Sequence, residues 1–292
     1  MHEVKATLDC LECFLRQALR AARIASDDPA VHRRILDETA RRIPEMDLAK
    51  SPAVLSQVIY ELTALFSGRP DPYCEHKRAQ NALALALEPE LRRLVSESAD
   101  PLDTALHVAA AGNVIDLGTQ HEDDIDVRAA LDAVLRERFA VDHSEAFRKS
   151  LAKCRDLLYL LDNAGEIVFD KILIEELARH TRVTAVVKAA PILNDALFED
   201  AKAVGLTAVC DVIDVGGPFV GAPLDQTPPA FLERMRRADV IVGKGQGHYE
   251  TIDDFDGDVF LILKAKCEVV ARHMGVQFGQ VGLISTRLRA TR

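Results

Sequence analysis

The chain has 292 residues, 48% hydrophobic and 28% charged, enough for a sizeable core in one large domain or two. Its formal net charge of -10 excludes a general nucleic-acid binder, which needs a basic footprint, and 5% aromatics without Trp provide no base-stacking platform. No apolar run of about 18 residues is present to span a membrane. The N-terminal residues lack the apolar core of a signal peptide. Six cysteines are too few for a disulfide framework, so a reducing cytoplasm is expected.

The first half reads as helices. From Cys10 to Ile24, Leu11, Phe14, Leu15, Ala18, Leu19 and Ala22 recur at helical spacing. Pro29 to Ile43 and Pro52 to Phe66 repeat that period. The Gly68-Arg-Pro-Asp-Pro72 cluster marks a loop. Asn81 to Val95 is rich in Ala, Leu, Glu and Arg, all good helix formers, and Asp103 to Asp116 continues the pattern.

Near residue 150 the character changes. Short β-rich runs at Leu157–Leu161, Val183–Val187, Val209–Val215, Val240–Val242 and Val259–Leu263 alternate with helical patterns. Those patterns cover Glu166–Ala178, Ala196–Val204 and Pro229–Arg236. Alternation of this kind implies an α/β fold, a mostly parallel sheet with helices on its faces. Apolar runs without polar alternation suit strands buried on both sides. The expected division is a helical cap over residues 1–150, packed on the sheet, and an α/β unit over residues 151–292.

The first apolar run ends abruptly in Asp162 and Asn163, and the second is followed by Asn194 and Asp195. In open α/β sheets, ligands bind beyond the carboxyl ends of the strands. If the two strands are adjacent, both polar pairs converge on one crevice. Carboxylates and amides are hard oxygen ligands of the kind Mg²⁺ and Mn²⁺ favour. Caps and turns use the same residues for a plainer reason. Gly165 and Glu166 then open a helix, whose N-terminal N–H groups favour a phosphate, or whose glycine merely eases a tight turn. Gly243-Lys-Gly-Gln-Gly-His-Tyr-Glu250 follows the fourth run. Its glycines permit close backbone approach near Gln246 and Gly247, and Lys244 supplies a compact positive charge suited to phosphate oxygens. His248 is placed beside this loop. Asn113 and Asp116 share one helix face and can close the crevice from the cap side, or lie at a solvated helix end. Cys10 and Cys13 form a Cys-x-x-Cys without a second such pair. Two buried helix cysteines are the plainer reading, with Cys74 and Cys267 as distant partners for a metal set.

Taken in order, Asp162-Asn-Ala-Gly-Glu166, Leu193-Asn-Asp195 and Lys244-Gly-Gln-Gly-His-Tyr-Glu250 resemble the damage-control phosphatase family, once a domain of unknown function. Cys10-Leu-Glu-Cys13, Asp71-Pro-Tyr73 with Lys77, Gly112-Asn-Val-Ile-Asp116 and Leu263-Lys-Ala-Lys-Cys267 resemble its cysteine-containing microbial branch. The resemblance spans nearly the whole chain. It implies a three-layer α/β/α sandwich joined to an N-terminal helical domain. It also implies phosphatase activity on small phosphometabolites with Mg²⁺, Mn²⁺, Co²⁺ or Ni²⁺. By the same resemblance, Asp162, Asn163 and Asp195 hold the metal, Lys244 contacts phosphate and Asn113 lies near the substrate.

The resulting expectation is metal-assisted hydrolysis in which Lys244 and the N–H groups from Gly165 onward bind phosphate oxygens. Whether Asp162 also attacks phosphorus is not legible from residues alone. The expected partner is a small phosphorylated metabolite, without nucleic acid or membrane, bound by a monomer or small homo-oligomer. The rival readings are an S-adenosylmethionine-dependent methyltransferase and a metal- or metabolite-binding protein without turnover. The place of a glycine-rich loop after the first strand is taken by Asp162 and Asn163, which weighs against the methyl donor.

Overall fold

Residues 4–114 and 138–289 are described by a computed structural model of the chain. Among the described residues, five α-helices come first: α1 (Leu8–Ala25), α2 (Pro29–Arg42), α3 (Pro52–Ser67), α4 (Cys74–Ser96) and α5 (Pro101–Val114). Local chemistry sets their ends. Asp28 accepts from Ala30 N to start α2, with Pro29 at the first helical position. Ser51 and Pro52 do the same for α3, which ends at Gly68 in the left-handed region at φ +68°. Asp116, expected to share a face with Asn113, lies outside the described residues.

After β1 (Val141–Asp142) and α6 (Ser144–Leu151), strands and helices alternate. They are β2 (Asp156–Leu160), α7 (Glu166–Leu177), β3 (Arg182–Val187), α8 (Phe198–Ala203), β4 (Asp211–Asp214), α9 (Pro229–Arg237), β5 (Val240–Lys244), α10 (Gly245–Ile252), β6 (Val259–Lys264), α11 (Glu268–Met274), β7 (Val281–Ser285) and α12 (Thr286–Arg289). One sheet has the order β1-β7-β6-β5-β2-β3-β4. Every neighbouring pair is parallel except β6 with β7. The chain leaves β2 toward β3 and returns to pair β5 on the other side of β2. The strand order therefore reverses between β2 and β5, which is the switch point where such sheets bind ligands.

Strand alternation builds three layers. Leu157 and Tyr159 face one core with Leu91 of α4, Leu106 of α5 and Phe169 of α7. Leu158 and Leu160 face the opposite core with Phe231 of α9, Tyr249 of α10 and Val270 of α11. A third core, around Phe14, Ala18, Ile35 and Ile59, joins α1, α2 and α3. Thus α4 and α5 form part of a sandwich layer, and α1–α3 make a separate bundle. The α/β/α sandwich with a helical region matches the expected fold class.

Some elements differ from the sequence reading. The stretch 243–250 is not a glycine loop: it is the end of β5 and the helix α10, turned at Gly245 with φ +79°. The helix expected from Asn81 begins a full two turns earlier, at Cys74. Short β1 and antiparallel β7 carry little signal of their own, because β1 has two residues and Gly282 interrupts β7.

Candidate active site

The exits of β2 and β3 are stitched together by backbone. Asn163 and Asp195 form an isolated antiparallel bridge. Ala164 N donates to Asn194 O and Ala196 N to Asp162 O, both at 2.8 Å. The returning segment includes Leu193 at φ +50°, a conformation few non-glycine residues adopt. This bridge makes the two polar pairs converge. Gly165 then turns the chain into α7 at φ +79°. Its N–H donates to Asn81 Oδ1 at 2.7 Å, and Asn81 Nδ2 donates to Asp200 at 2.8 Å.

Asp162, Asn163, Glu166 and Asp195 line one cavity of about 870 Å³ between the sheet edge and the α1–α3 bundle. Asn163 Nδ2 donates to Asp162 Oδ2 at 3.1 Å and to Glu166 Oε1 at 2.7 Å. Asn113, at the end of α5 and only 2% exposed, is no solvated helix end. Its Nδ2 donates to both Glu166 oxygens at 3.1 and 3.2 Å and to Asp162 Oδ2 at 3.3 Å. Its Oδ1 accepts from Lys264 N at 3.0 Å. Burial raises the Asp162 carboxyl well above the usual range, and repulsion from Glu166 and Asp195 adds to it. Burial likewise pushes Asp195 up to about 6, opposed by the Lys188 ammonium 3.5 Å away. Carboxylates held together at this cost suit a bound cation. Among the described residues, no three His, Cys, Asp or Glu side chains are gathered closely enough to hold a metal by themselves. The oxygen set here is two Asp carboxylates plus the Asn163 amide.

Lys244 departs from its expected role. It is 0% exposed and does not line the cavity. Its ammonium lies beneath the floor, 2.7 Å from Asp170 Oδ1, 2.8 Å from Ala109 O and 3.8 Å from Glu166 Oε2. Gly165 does not line the cavity either, and its N–H is taken by Asn81 rather than open to phosphate. Glu166 presents a carboxylate, which repels a phosphate instead of binding it. Gln246 and Gly247 do line the cavity. Gln246 accepts from Lys266 N at 3.0 Å and donates to Glu250 at 2.8 Å. His248 is buried, with Nδ1 2.7 Å from Lys244 O, and does not line the cavity.

One feature, Lys266, is not singled out by the sequence reading, and the cysteines it names are only partly brought together. Lys266 is an exposed cation on the cavity wall, and its charge lowers the Asp162 carboxyl's pKa. Cys10, Cys13 and Cys267 line the same cavity, whereas Cys74 does not. All six cysteines are free thiols. The signal for Lys266 was its place just past the end of β6, on the carboxyl edge of the sheet.

Fold and site together define an α/β/α protein with an acidic ligand crevice at the switch point of its sheet. Residues 6–281 match the family model of the damage-control phosphatase ARMT1-like domain. A damage-control phosphatase of Pyrococcus horikoshii is 31% identical, over 94% of this chain and 96% of that protein. One from Archaeoglobus fulgidus is 32% identical, over 93% of this chain and 96% of the relative. The crystal structure of a DUF89 family protein from Pyrococcus horikoshii superposes with a TM-score of 0.89 at 30% identity, covering 97% of this chain and 99% of that one. The chain belongs to the damage-control phosphatase family. Among the described residues, no helix is long and apolar enough to cross a membrane.

Proposed function

We propose that this chain is a divalent-metal-dependent phosphatase acting on small phosphorylated metabolites. The observation that carries the reading is the meeting of Asp162, Asn163 and Asp195 on one cavity wall, with both carboxyls raised by burial and repulsion. Those three side chains would hold the cation through oxygen. When bound, the cation supplies positive charge to offset a phosphate ester's oxygens as the bond breaks. Magnesium, manganese, cobalt and nickel all accept such hard ligands to differing degrees.

The chain's own residues do the rest. Lys266, rather than Lys244, supplies the compact positive charge at the cavity wall that suits a phosphate oxygen. Asn113 and Asn163 fix the carboxylates of Asp162 and Glu166 by N–H donation. A cavity of about 870 Å³ has room for the alcohol part of the ester beside Gln246 and Gly247. Water is the final acceptor of the phosphoryl group. The family names of the relatives agree with this chemistry.

Phosphate release from a panel of phosphate esters tests the reading. Activity is expected to vanish in EDTA and return on adding Mn²⁺, Mg²⁺, Co²⁺ or Ni²⁺. Full turnover in chelator refutes metal dependence, and the absence of hydrolysis across the panel with every metal refutes the phosphatase reading.

A further inference from the structure

The floor of the crevice contains charge that packing alone does not require. Glu166 and Asp170 stand one turn apart on the same face of α7. The Lys244 ammonium, arriving from the end of β5, sits between them, 2.7 Å from Asp170 Oδ1 and 3.8 Å from Glu166 Oε2. Asp170 is 0% exposed and its Oδ1 also accepts from Tyr159 OH at 2.8 Å. Its Oδ2 is buried with no partner. A buried ion pair with an orphaned acceptor is poorer in free energy than an apolar pair of the same volume. Such sites concentrate where function demands them.

Charge and hydrogen bonds run from this pair to the oxygen cluster. Lys244 faces Glu166. Glu166 accepts from Asn113 and Asn163. Asn163 in turn donates to Asp162. One ammonium thus faces two carboxylates, the first closed in the core and the second open to the cavity. Asp170 competes for that ammonium. Without it, Lys244 has only Ala109 O and Glu166, and the stronger pull draws the Glu166 carboxylate down from the two amides. Asn163 then loses the acceptor that orients it.

We infer that Asp170 is a positioning residue: by holding Lys244 from below, with Tyr159 holding Asp170, it sets the height of Glu166 and the orientation of the Asn163 amide in the crevice. The inference rests on the metal reading of Asp162, Asn163 and Asp195. It assigns to the buried residues Tyr159, Asp170 and Lys244 a role in cation affinity, without contact to cation or substrate.

The test titrates Mn²⁺ alone into the full chain by calorimetry. Wild type is expected to bind, and Asp170→Asn to bind about tenfold or more weakly, as loss of an outer-shell partner does. Tyr159→Phe is expected to give a smaller loss in the same direction. Asp170→Asn leaves the buried Lys244 ammonium without its nearest counter-charge, so the metal-free variant is expected to melt below wild type. A lowered melting temperature with Mn²⁺ affinity at the wild-type value is the mark of a purely structural role. At saturating Mn²⁺ its KM for a phosphate ester should stay at the wild-type value. Wild-type Mn²⁺ affinity in both variants overturns the inference and leaves the metal reading standing. If Asp170→Asn does not fold, Tyr159→Phe decides, and unchanged affinity there overturns the inference. If wild type takes up no Mn²⁺, the metal reading falls and the inference falls with it.

Discussion

Gly245 lies directly against the carboxylate of Asp162: a Cβ at residue 245 would overlap Oδ2 and come within 2.9 Å of Oδ1. The first turn after β5 therefore walls the side chain that leaves β2, and only glycine leaves room. Its φ of +79° independently disfavours any L side chain. Gly245→Ala is expected to lower stability by about 1–3 kcal/mol in a denaturant melt. The same change should weaken Mn²⁺ binding, because Asp162 is the group that must move. A variant with native stability and native affinity would show that the two residues are not packed as described.

Asp195→Asn should separate stability from function. The amide is isosteric and relieves a carboxyl raised to about 6 by burial. Lys188 keeps Gly221 O as acceptor but loses its buried counter-charge, so the metal-free variant is expected to melt somewhat lower than wild type while remaining folded. Phosphate release at fixed Mn²⁺ is expected to fall by about 100-fold, as for loss of a ligand and its charge. Retention of wild-type turnover would remove Asp195 from the proposed oxygen set.

The convergence of Asp162-Asn163 with Asn194-Asp195 was legible because apolar runs ending in hard polar pairs mark strand exits, and adjacent parallel strands bring exits together. Other features needed the third dimension. The place of Lys244 after an apolar run suggests a phosphate contact. Yet β5 alternates: Val240 and Val242 face the core layer of α4, α5 and α7, so residue 244 faces it too. Counting by twos would have sent this lysine under the floor, toward Asp170, rather than into the crevice. Lys266 carried no such period, since it lies beyond β6, and its place depends on Gln246 holding its backbone. The division of the N-terminal helices was also hidden. Periodicity shows that α4 and α5 have an apolar face but not that this face is covered by the sheet.

The two lysines should therefore fail differently. Lys266→Met, on the wall, is expected to raise KM for a phosphate ester about tenfold, the worth of one charge-assisted hydrogen bond, with an unchanged melting temperature. Lys244→Met strands Asp170 and should lower stability by about 3–5 kcal/mol. Steady-state kinetics and denaturant melts on both variants check this. A KM effect in Lys244→Met without loss of stability, together with a silent Lys266→Met, would reverse the assignment.

Glu250 offers a test by pH. It is buried where α10 meets the bundle, accepting from Ala53 N at 2.7 Å and from Gln246 Nε2 at 2.8 Å. Burial raises its carboxyl to about 7, and Asp253 adds to the rise. Between the ordinary carboxylate value near 4.5 and about 7, the folded chain binds a proton that the unfolded chain has released. The stabilising contribution is complete below the lower value and is lost as pH rises through the upper one. Glu250→Gln removes that titration. Its stability relative to wild type should climb between pH 5 and 8, by up to roughly 3 kcal/mol from this group. Because Asp162, Asp170 and Asp195 are raised as well and remain in the variant, wild type and variant must be compared at each pH. Denaturant melts of the metal-free proteins across that range provide the measurement. Parallel stability curves for the two proteins would mean that Glu250 titrates as an ordinary surface carboxylate, and that the contact with Ala53 does not bury its charge.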